Sequence, residues 1–321
     1  MKRSFLFGVF MITALLLSGC SGDRQRIRLA TGGNTGTYYA YGTAMAQILE
    51  DTTGYRFNVQ STGASKANIQ LVADGEVEMA IVQNDVMDYA YHGTNLFEGE
   101  VIQDFQTLGA LYGEVCQIIV DPASGIRSIW DLRGRTVSVG DAGSGVETNA
   151  RQILDIYGIS FQDIRKQNLS FTASADAMKD KKIDAFFCTA GVPTTAIMDL
   201  GTTNRIAMLS VDPEQAALLM EKYPFYTSYT IPAGTYKGID EDVVTLAVKA
   251  TLIVSGQVKE ETVYELTKAL FEQKDAIAGA HARGAELSPD FAVEGISVPF
   301  HPGAEKYYRE IGVLQNEAES E

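Results

Sequence analysis

Histidine is scarce in this chain of 321 residues. There are three, His92, His281 and His301, and no two stand in a ligand spacing such as His-x-x-x-His. That removes the usual histidine metal sites, and no histidine lies near a plausible nucleophile. Basic charge is also in deficit, with 26 Lys and Arg against 41 Asp and Glu and a net charge of -15. Phosphate neutralisation needs clustered cations, and no basic patch exists, so nucleic acid is excluded as a partner. Catalytic signatures are missing too: "AGSGV" is not a Gly-x-Ser-x-Gly elbow, and "GTYYAYGT" lacks the lysine of a phosphate loop. No metal and no cofactor is expected. Beyond Phe5 to Leu17, no apolar run is long enough to cross a bilayer.

That first run is informative. Lys2 and Arg3 precede it, it has the length of a secretory h-region, and it ends in Leu17-Ser18-Gly19-Cys20. The tetrapeptide matches the bacterial lipobox, in which the final cysteine is acylated. Residues 1–19 are therefore expected to be a lipoprotein signal peptide, Cys20 the lipidation site and residues 20–25 a tether. The body of the protein is then extracytoplasmic, in the periplasm or at the cell surface, and held to the membrane by lipid. Of the other two cysteines, Cys116 and Cys188 lie in apolar stretches that read as strands. Buried free thiols are the main expectation, with oxidation as the alternative in an exported protein. The acidic end with Glu317, Glu319 and Glu321 reads as a solvated tail.

Between these ends, strand and helix signals alternate. Ile27–Thr31 reads as a strand, followed by a helix with Tyr38, Tyr41, Met45, Ile48 and Leu49 at helical spacing. A strand over Phe57–Thr62, a helix over Ser65–Ala73 stopped by Gly75, and an apolar strand over Met79–Gln83 follow. The pattern returns about one hundred residues later. Thr136–Gly140 is the strand, "GDAGSGVETNARQILDIYG" the glycine loop and helix, and "SADAMKDKKIDAFFCTAG" parallels "ANIQLVADGEVEMAIVQND" when Ala80 is set against Ala185. Two similar α/β lobes are implied, each with a parallel sheet. A strand over Arg205–Leu209, a helix from Pro213, a strand over Val243–Val254 and a helix over Glu260–Gln273 complete the chain. If the tail returns to the first lobe, the chain crosses twice, near Tyr112–Val120 and in the proline-interrupted, aromatic "YPFYTSYTIPAGTY" near Tyr223–Tyr236. Two crossings make a hinge, and two hinged lobes make a cleft.

Several motifs carry a family resemblance. "RLATGGNTGTYYAYGTAMAQIL", "VQSTGASKANIQLVADGEVEMAIVQND", "VSVGDAGSGVETNARQIL", "DAFFCTAGVPT" and "IPAGTY" together resemble the TAXI family of solute-binding proteins of tripartite ATP-independent periplasmic (TRAP) transporters, over about Arg26 to Tyr308. The resemblance implies a type II periplasmic binding-protein fold and capture of a small carboxylate solute such as glutamate or glutamine. It also implies delivery to a TRAP membrane permease driven by an ion gradient, with a monomeric receptor expected. Lobe 1 is then residues 26–115 plus 228–321, and lobe 2 residues 116–227. A solute-sensing lipoprotein without transport, or an enzyme on the same architecture, remains the alternative.

Helix N-termini supply the expected site, because their free amides and partial positive charge hold a carboxylate without a basic side chain. In lobe 1 the turn Asn34, Thr35, Gly36 and Thr37 opens the first helix. In lobe 2 Gly143, Ser144, Gly145 and Val146 do so, with Glu147 and Thr148 in the first turn. Strand ends add Ser61, Thr62, Gly63 and Ser65, then Gln83 and Asp85, the latter as an acceptor for an ammonium group. Ala190, Gly191 and Thr194 hold the equivalent place in lobe 2. Tyr38, Tyr39 and Tyr229 are candidate walls, while Tyr41 is assigned to the core. Helix capping is the competing role for the loops and for Gln83-Asn84-Asp85. No arginine falls in these loops, so an anion site of amides and hydroxyls is expected.

Overall fold

The computed structural model describes residues 26–315. The predicted signal peptide, Cys20, the tether and the acidic tail lie outside them. The first unit runs β1 (Arg26–Ala30), α1 (Thr37–Thr53), β2 (Arg56–Gln60), α2 (Ser65–Ala73), β3 (Met79–Gln83) and α3 (Asn84–His92). The long strand β4 (Phe105–Val120) leads to the second unit: β5 (Thr136–Ser138), α4 (Gly145–Ile156), β6 (Arg165–Gln167), α5 (Phe171–Lys179), β7 (Ala185–Ala190) and α6 (Thr195–Thr203). Then come β8 (Ala207–Met208), α7 (Pro213–Lys222), β9 (Thr227–Ile231) and the long β10 (Val243–Ser255). Helices α8 (Glu260–Glu272), α9 (Lys274–Ala280), α10 (Pro289–Val293) and α11 (Pro302–Glu310) close the chain. Among the described residues no helix is long and apolar enough to cross a membrane.

The ten strands among the described residues belong to one sheet with the path β2-β1-β3-β10-β4-β7-β5-β6, to which β8 adds beside β4 and β9 beside β10. The order β2-β1-β3 in one half and β6-β5-β7 in the other is the same arrangement, so the duplication read from the sequence is a duplication of topology. Parallel pairs join β1 to β2 and β3, and β5 to β6 and β7. The inner strands β3 and β7 are buried on both faces because helices cover both, whereas β2 and β6 at the ends of the path are polar and partly exposed. In β3, Met79 and Ile81 enter one core with α1 and α8, while Ala80 and Val82 enter another with α2 and α3. In β7, Ala185 and Phe187 face α4 and α7, whereas Phe186, Cys188 and Ala190 face α5 and α6. Each lobe is thus a sheet between two helical layers. Cys116 and Cys188 are buried free thiols.

The lobes are joined by β4 and β10, which run antiparallel along their whole overlap. Residues Val115–Val120 of β4 pair with β7 of the second lobe, and Ala250–Val254 of β10 pair with β3 of the first. The first crossing therefore falls where the sequence puts it. The second does not: Thr227–Ile231 pairs with Val243–Ala247, so β9 is an edge strand of the second lobe and the chain returns within β10, between Ala247 and Ala250. The aromatic and proline residues around β9 suit an edge strand as well as a linker, which is why the sequence misplaces the crossing. Two register shifts interrupt the β4–β10 ladder, at Ala250/Thr251 and Leu252/Ile253.

Candidate functional site

Between the lobes lies a cavity of about 250 Å³. Its walls are mostly helix starts. Gly36 is the N-cap of α1, Ala64 of α2, Gln83 of α3, Ser144 of α4 and Ser170 of α5, and every one of these residues lines the cavity. Each helix brings amides that lack acceptors within its own first turn, so five partial positive charges point at one space. Among the five N-caps only Ser144 and Ser170 accept a bond from their own helix, from Glu147 N at 3.2 Å and Ala173 N at 3.3 Å. The α1, α2 and α3 starts have no side-chain cap.

Of the expected residues, Asn34, Thr35, Gly36, Thr37, Tyr38, Ser61, Ser65, Gln83, Ser144, Gly145, Val146 and Ala190 line the cavity. The other ten are placed elsewhere. Glu147 turns to Lys166 Nζ (2.8 Å), accepts from Gly143 N (2.8 Å) and from Asn168 Nδ2 (3.1 Å), so Glu147 and Gly143 brace the loop from behind. These bonds outweigh the cost of burial and hold the Glu147 carboxyl below its usual range. Thr62 secures the turn after β2 through Thr31 O (2.8 Å) and Asn68 Oδ1 (2.6 Å), and Gly63 lies in that turn. Thr194 accepts from Gln117 Nε2 (2.9 Å) beneath the β7 end. Thr148 is buried on α4, Tyr39 is half-buried on α1 and Tyr229 packs on the outer core of lobe 2; none reaches the cavity. Tyr41 is fully buried, as expected, with its ring 4.8 Å from that of Tyr112.

Asp85 requires the largest correction. It is wholly buried below the cavity wall, where Val86 N (2.9 Å) and Asn149 Nδ2 (3.1 Å) donate to it. Burial pushes its carboxyl up to about 7, against those two bonds. Asn149 also donates to Tyr226 Oη (2.7 Å), which bonds Gln152 Oε1 (2.6 Å), and Gln152 Nε2 donates to Tyr89 Oη (2.9 Å). Asp85 and Tyr89 belong to α3, whereas Asn149 and Gln152 belong to α4. The network is therefore a polar bridge between lobes.

Other contacts close the rim. Thr35 Oγ1 meets Thr172 Oγ1 at 2.9 Å, and Thr37 Oγ1 donates to Gly191 O at 3.4 Å. Gln83 packs on Gly145 so tightly that a Cβ there would stand 2.1 Å from Gln83 Oε1, a buried oxygen without a partner among the described residues. The lobes are thus in contact around the cavity.

Two parts of the wall were not expected from sequence: the α5 start, Ser170, Phe171 and Thr172, and Glu114. Glu114 is the only charged residue of the sixteen in β4, and a lone acid in a long, mostly apolar strand is a signal available in the sequence. It is 2% exposed and accepts from Tyr38 Oη at 2.6 Å. Burial pushes the carboxyl up to about 8; the Tyr38 bond pulls against it and Asp85 adds to it. Asp141 also lines the cavity, with its carboxyl raised by burial, and no Lys or Arg does. Among the described residues no group of His, Cys, Asp and Glu is placed to hold a metal ion.

Solved structures share this architecture. A protein from Bordetella bronchiseptica RB50 superposes with a TM-score of 0.55 at 14% identity, covering 92% of this chain and 91% of its own. PhnD1 from Prochlorococcus marinus, in complex with methylphosphonate, gives 0.54 at 9% identity over 90% and 99%. The substrate-binding protein of an amino acid ABC transporter gives 0.51 at 10% identity over 82% and 100%. At such identities the likeness establishes the fold, the two-lobed α/β fold of type II periplasmic binding proteins. The sequence relationship is more specific, for the model of one family matches residues 29–312. With the paired lobes, the shared sheet and the cleft in hand, that match over nearly the whole described chain shows that the protein belongs to the NMT1-like family.

Proposed function

We propose that the protein is an extracytoplasmic solute receptor of a membrane transporter, which captures a small carboxylate solute by closing its lobes and presents the closed form to a permease. One observation carries this reading: five helix N-termini, three from one lobe and two from the other, converge on a single cavity of about 250 Å³. That is near the lower limit of ligand-site volumes and suits a metabolite rather than a polymer. A solute bridging both sets of amides favours the closed form by the contacts it makes only there. The motif resemblance supports a TRAP permease as the partner and glutamate or glutamine as the solute, and one superposable protein serves an amino acid transporter. The lipobox Leu17-Ser18-Gly19-Cys20 supports the same placement, with lipid attachment at Cys20 as part of the proposal. For the lobes we set the boundaries by pairing, at about residues 113 and 248, so that 26–113 with 249–315 faces 114–248.

A thermal-shift screen of glutamate, glutamine, other amino acids and dicarboxylates tests the proposal. A solute at one hundred times its Kd adds about 2.7 kcal/mol, a rise in Tm of roughly 4 °C at this size. No shift with any member would refute capture of a small carboxylate. Uptake by the reconstituted permease that needs ATP hydrolysis rather than an ion gradient would refute the TRAP assignment.

A further inference from the structure

We infer that Glu114 is the specificity residue of the cavity, the group that selects a solute carrying an ammonium. The inference rests on the receptor reading above and adds to it the part of the solute that the helix starts do not recognise.

Glu114 sits at the crossing of β4 from one lobe to the other, opposite Val248 of β10. Its two oxygens have different fates. Oε2 takes the hydroxyl of Tyr38 at 2.6 Å, while no described residue donates to Oε1, and the side chain lines the cavity. A buried carboxyl ordinarily has a cationic partner. None is supplied here. Lys249 is adjacent in the sheet, but its ammonium is held by Glu294 Oε2 (3.0 Å) and the carbonyl of Glu294 (2.8 Å), and Arg283 is paired with Glu286. The remaining positive partner is the solute itself.

The surroundings sharpen the chemistry. Titratable groups around Glu114 are Tyr38 from α1, Asp85 from α3, Tyr112 and Cys116 from β4, and Cys188 from β7; Arg283 and Glu286 lie one step further out, against Tyr112 and Gly113, and are paired with each other. With no opposite charge at Oε1, burial pushes the Glu114 carboxyl up to about 8 and it keeps its proton at neutral pH. An ammonium at Oε1 reverses the balance, because an opposite charge in hydrogen-bond range favours the ionised form. The carboxyl proton then leaves to solvent as the ion pair forms. Helix starts for a carboxylate and an acid for an ammonium make a bipolar site, which fits an α-amino acid better than a dicarboxylate.

The test uses matched pairs that differ only in the amine: L-glutamate with glutarate, and L-glutamine with glutaramate. Calorimetry on the wild type is expected to show preference for the amine-bearing member. Proton release on binding at pH 7 is expected as well, read as a difference in observed heat between phosphate and Tris buffers. Glu114→Gln keeps the shape and the acceptor for Tyr38; it should reduce the preference by about 10- to 100-fold and abolish the proton release. Glu241→Gln, exposed and outside the cavity lining, serves as the control and should change neither, while Asp141→Asn tests the other acid of the lining. A preference that persists in Glu114→Gln, or that follows Asp141 instead, overturns the inference, as does a wild type that binds both members equally without releasing a proton. If no member of either pair binds, the inference falls, while a thermal shift with a different solute would leave the receptor reading standing.

Discussion

Closure of the lobes can be penalised from a position outside the cavity lining, through Gly191. This glycine follows β7 in lobe 2, outside the cavity lining, and its Cα faces lobe 1. A Cβ there would stand 2.7 Å from Arg283 Cγ, 2.8 Å from Thr37 Cγ2 and 2.9 Å from Arg283 Cδ. Carbon atoms pack at about 3.5–4.0 Å, so Gly191→Ala must recover roughly 0.7 Å. Neither neighbour yields easily. Thr37 is β-branched in the first turn of α1, and Arg283 is held by Glu286. Overpacking of this kind costs about 1–3 kcal/mol, and both opposing residues belong to the other lobe, so the cost exists only when the lobes meet. Affinity for the best solute of the screen should fall roughly 5- to 150-fold in calorimetry. The stability of the ligand-free protein should stay within about 0.5 kcal/mol of wild type, as for a change that strains nothing in an open form. Unchanged affinity would refute the account of closure. So would an equal loss of stability without ligand, since it would mean that the contact belongs to the fold and not to the closed state.

Three further outcomes follow from the buried polar groups. Asp85 and Glu114 keep their protons in the folded state up to about 7 and about 8, whereas the unfolded chain releases them near 4. These two groups therefore make ligand-free stability fall as pH rises from about 4 to about 8, by a few kcal/mol, and leave it level above that window. Asp85→Asn with Glu114→Gln should flatten the difference in denaturation midpoint between pH 5 and pH 8; an unaltered slope would refute the assignment. Asn149→Ala removes the α4 donor to Asp85 and Tyr226, and a weakening of solute binding by about 5- to 150-fold is expected, with a less compact ligand-bound form in small-angle scattering. Unchanged compactness would show that the bridge does not hold the lobes together.

Much of the architecture is legible in the sequence because its signals are local. The limits of α2 and β3 follow from periodicity and a stopping glycine, and the repeat of strand, glycine loop and helix exposes the second lobe. The cavity-lining loops before α1 and α4 are legible for the same reason, since glycines and hydroxyl residues cluster at both helix starts. What local signals leave open is direction. Asp85 and Glu147 are acids in the first turns of α3 and α4, yet they point at Asn149 and at Lys166, partners 64 and 19 residues away. Spacing along the chain carries no trace of such partners. The second crossing shows the same limit, because nothing in the apolar β10 distinguishes the half that pairs with β9 from the half that pairs with β3.

The join between the lobes has a mechanical consequence. A pair of loops would let one lobe swing freely, but β4 and β10 are hydrogen-bonded to each other through the join, and any rotation must twist that ribbon. Such an element stores torsion and returns it, so it acts as a spring and not as a pin. Its compliance is concentrated where the ladder is interrupted: Leu111 and Leu108 of β4 have no opposite number across Ala250/Thr251 and Leu252/Ile253. Both sites lie on the lobe 1 side, so lobe 2 travels as a stiff body while its neighbour absorbs the strain.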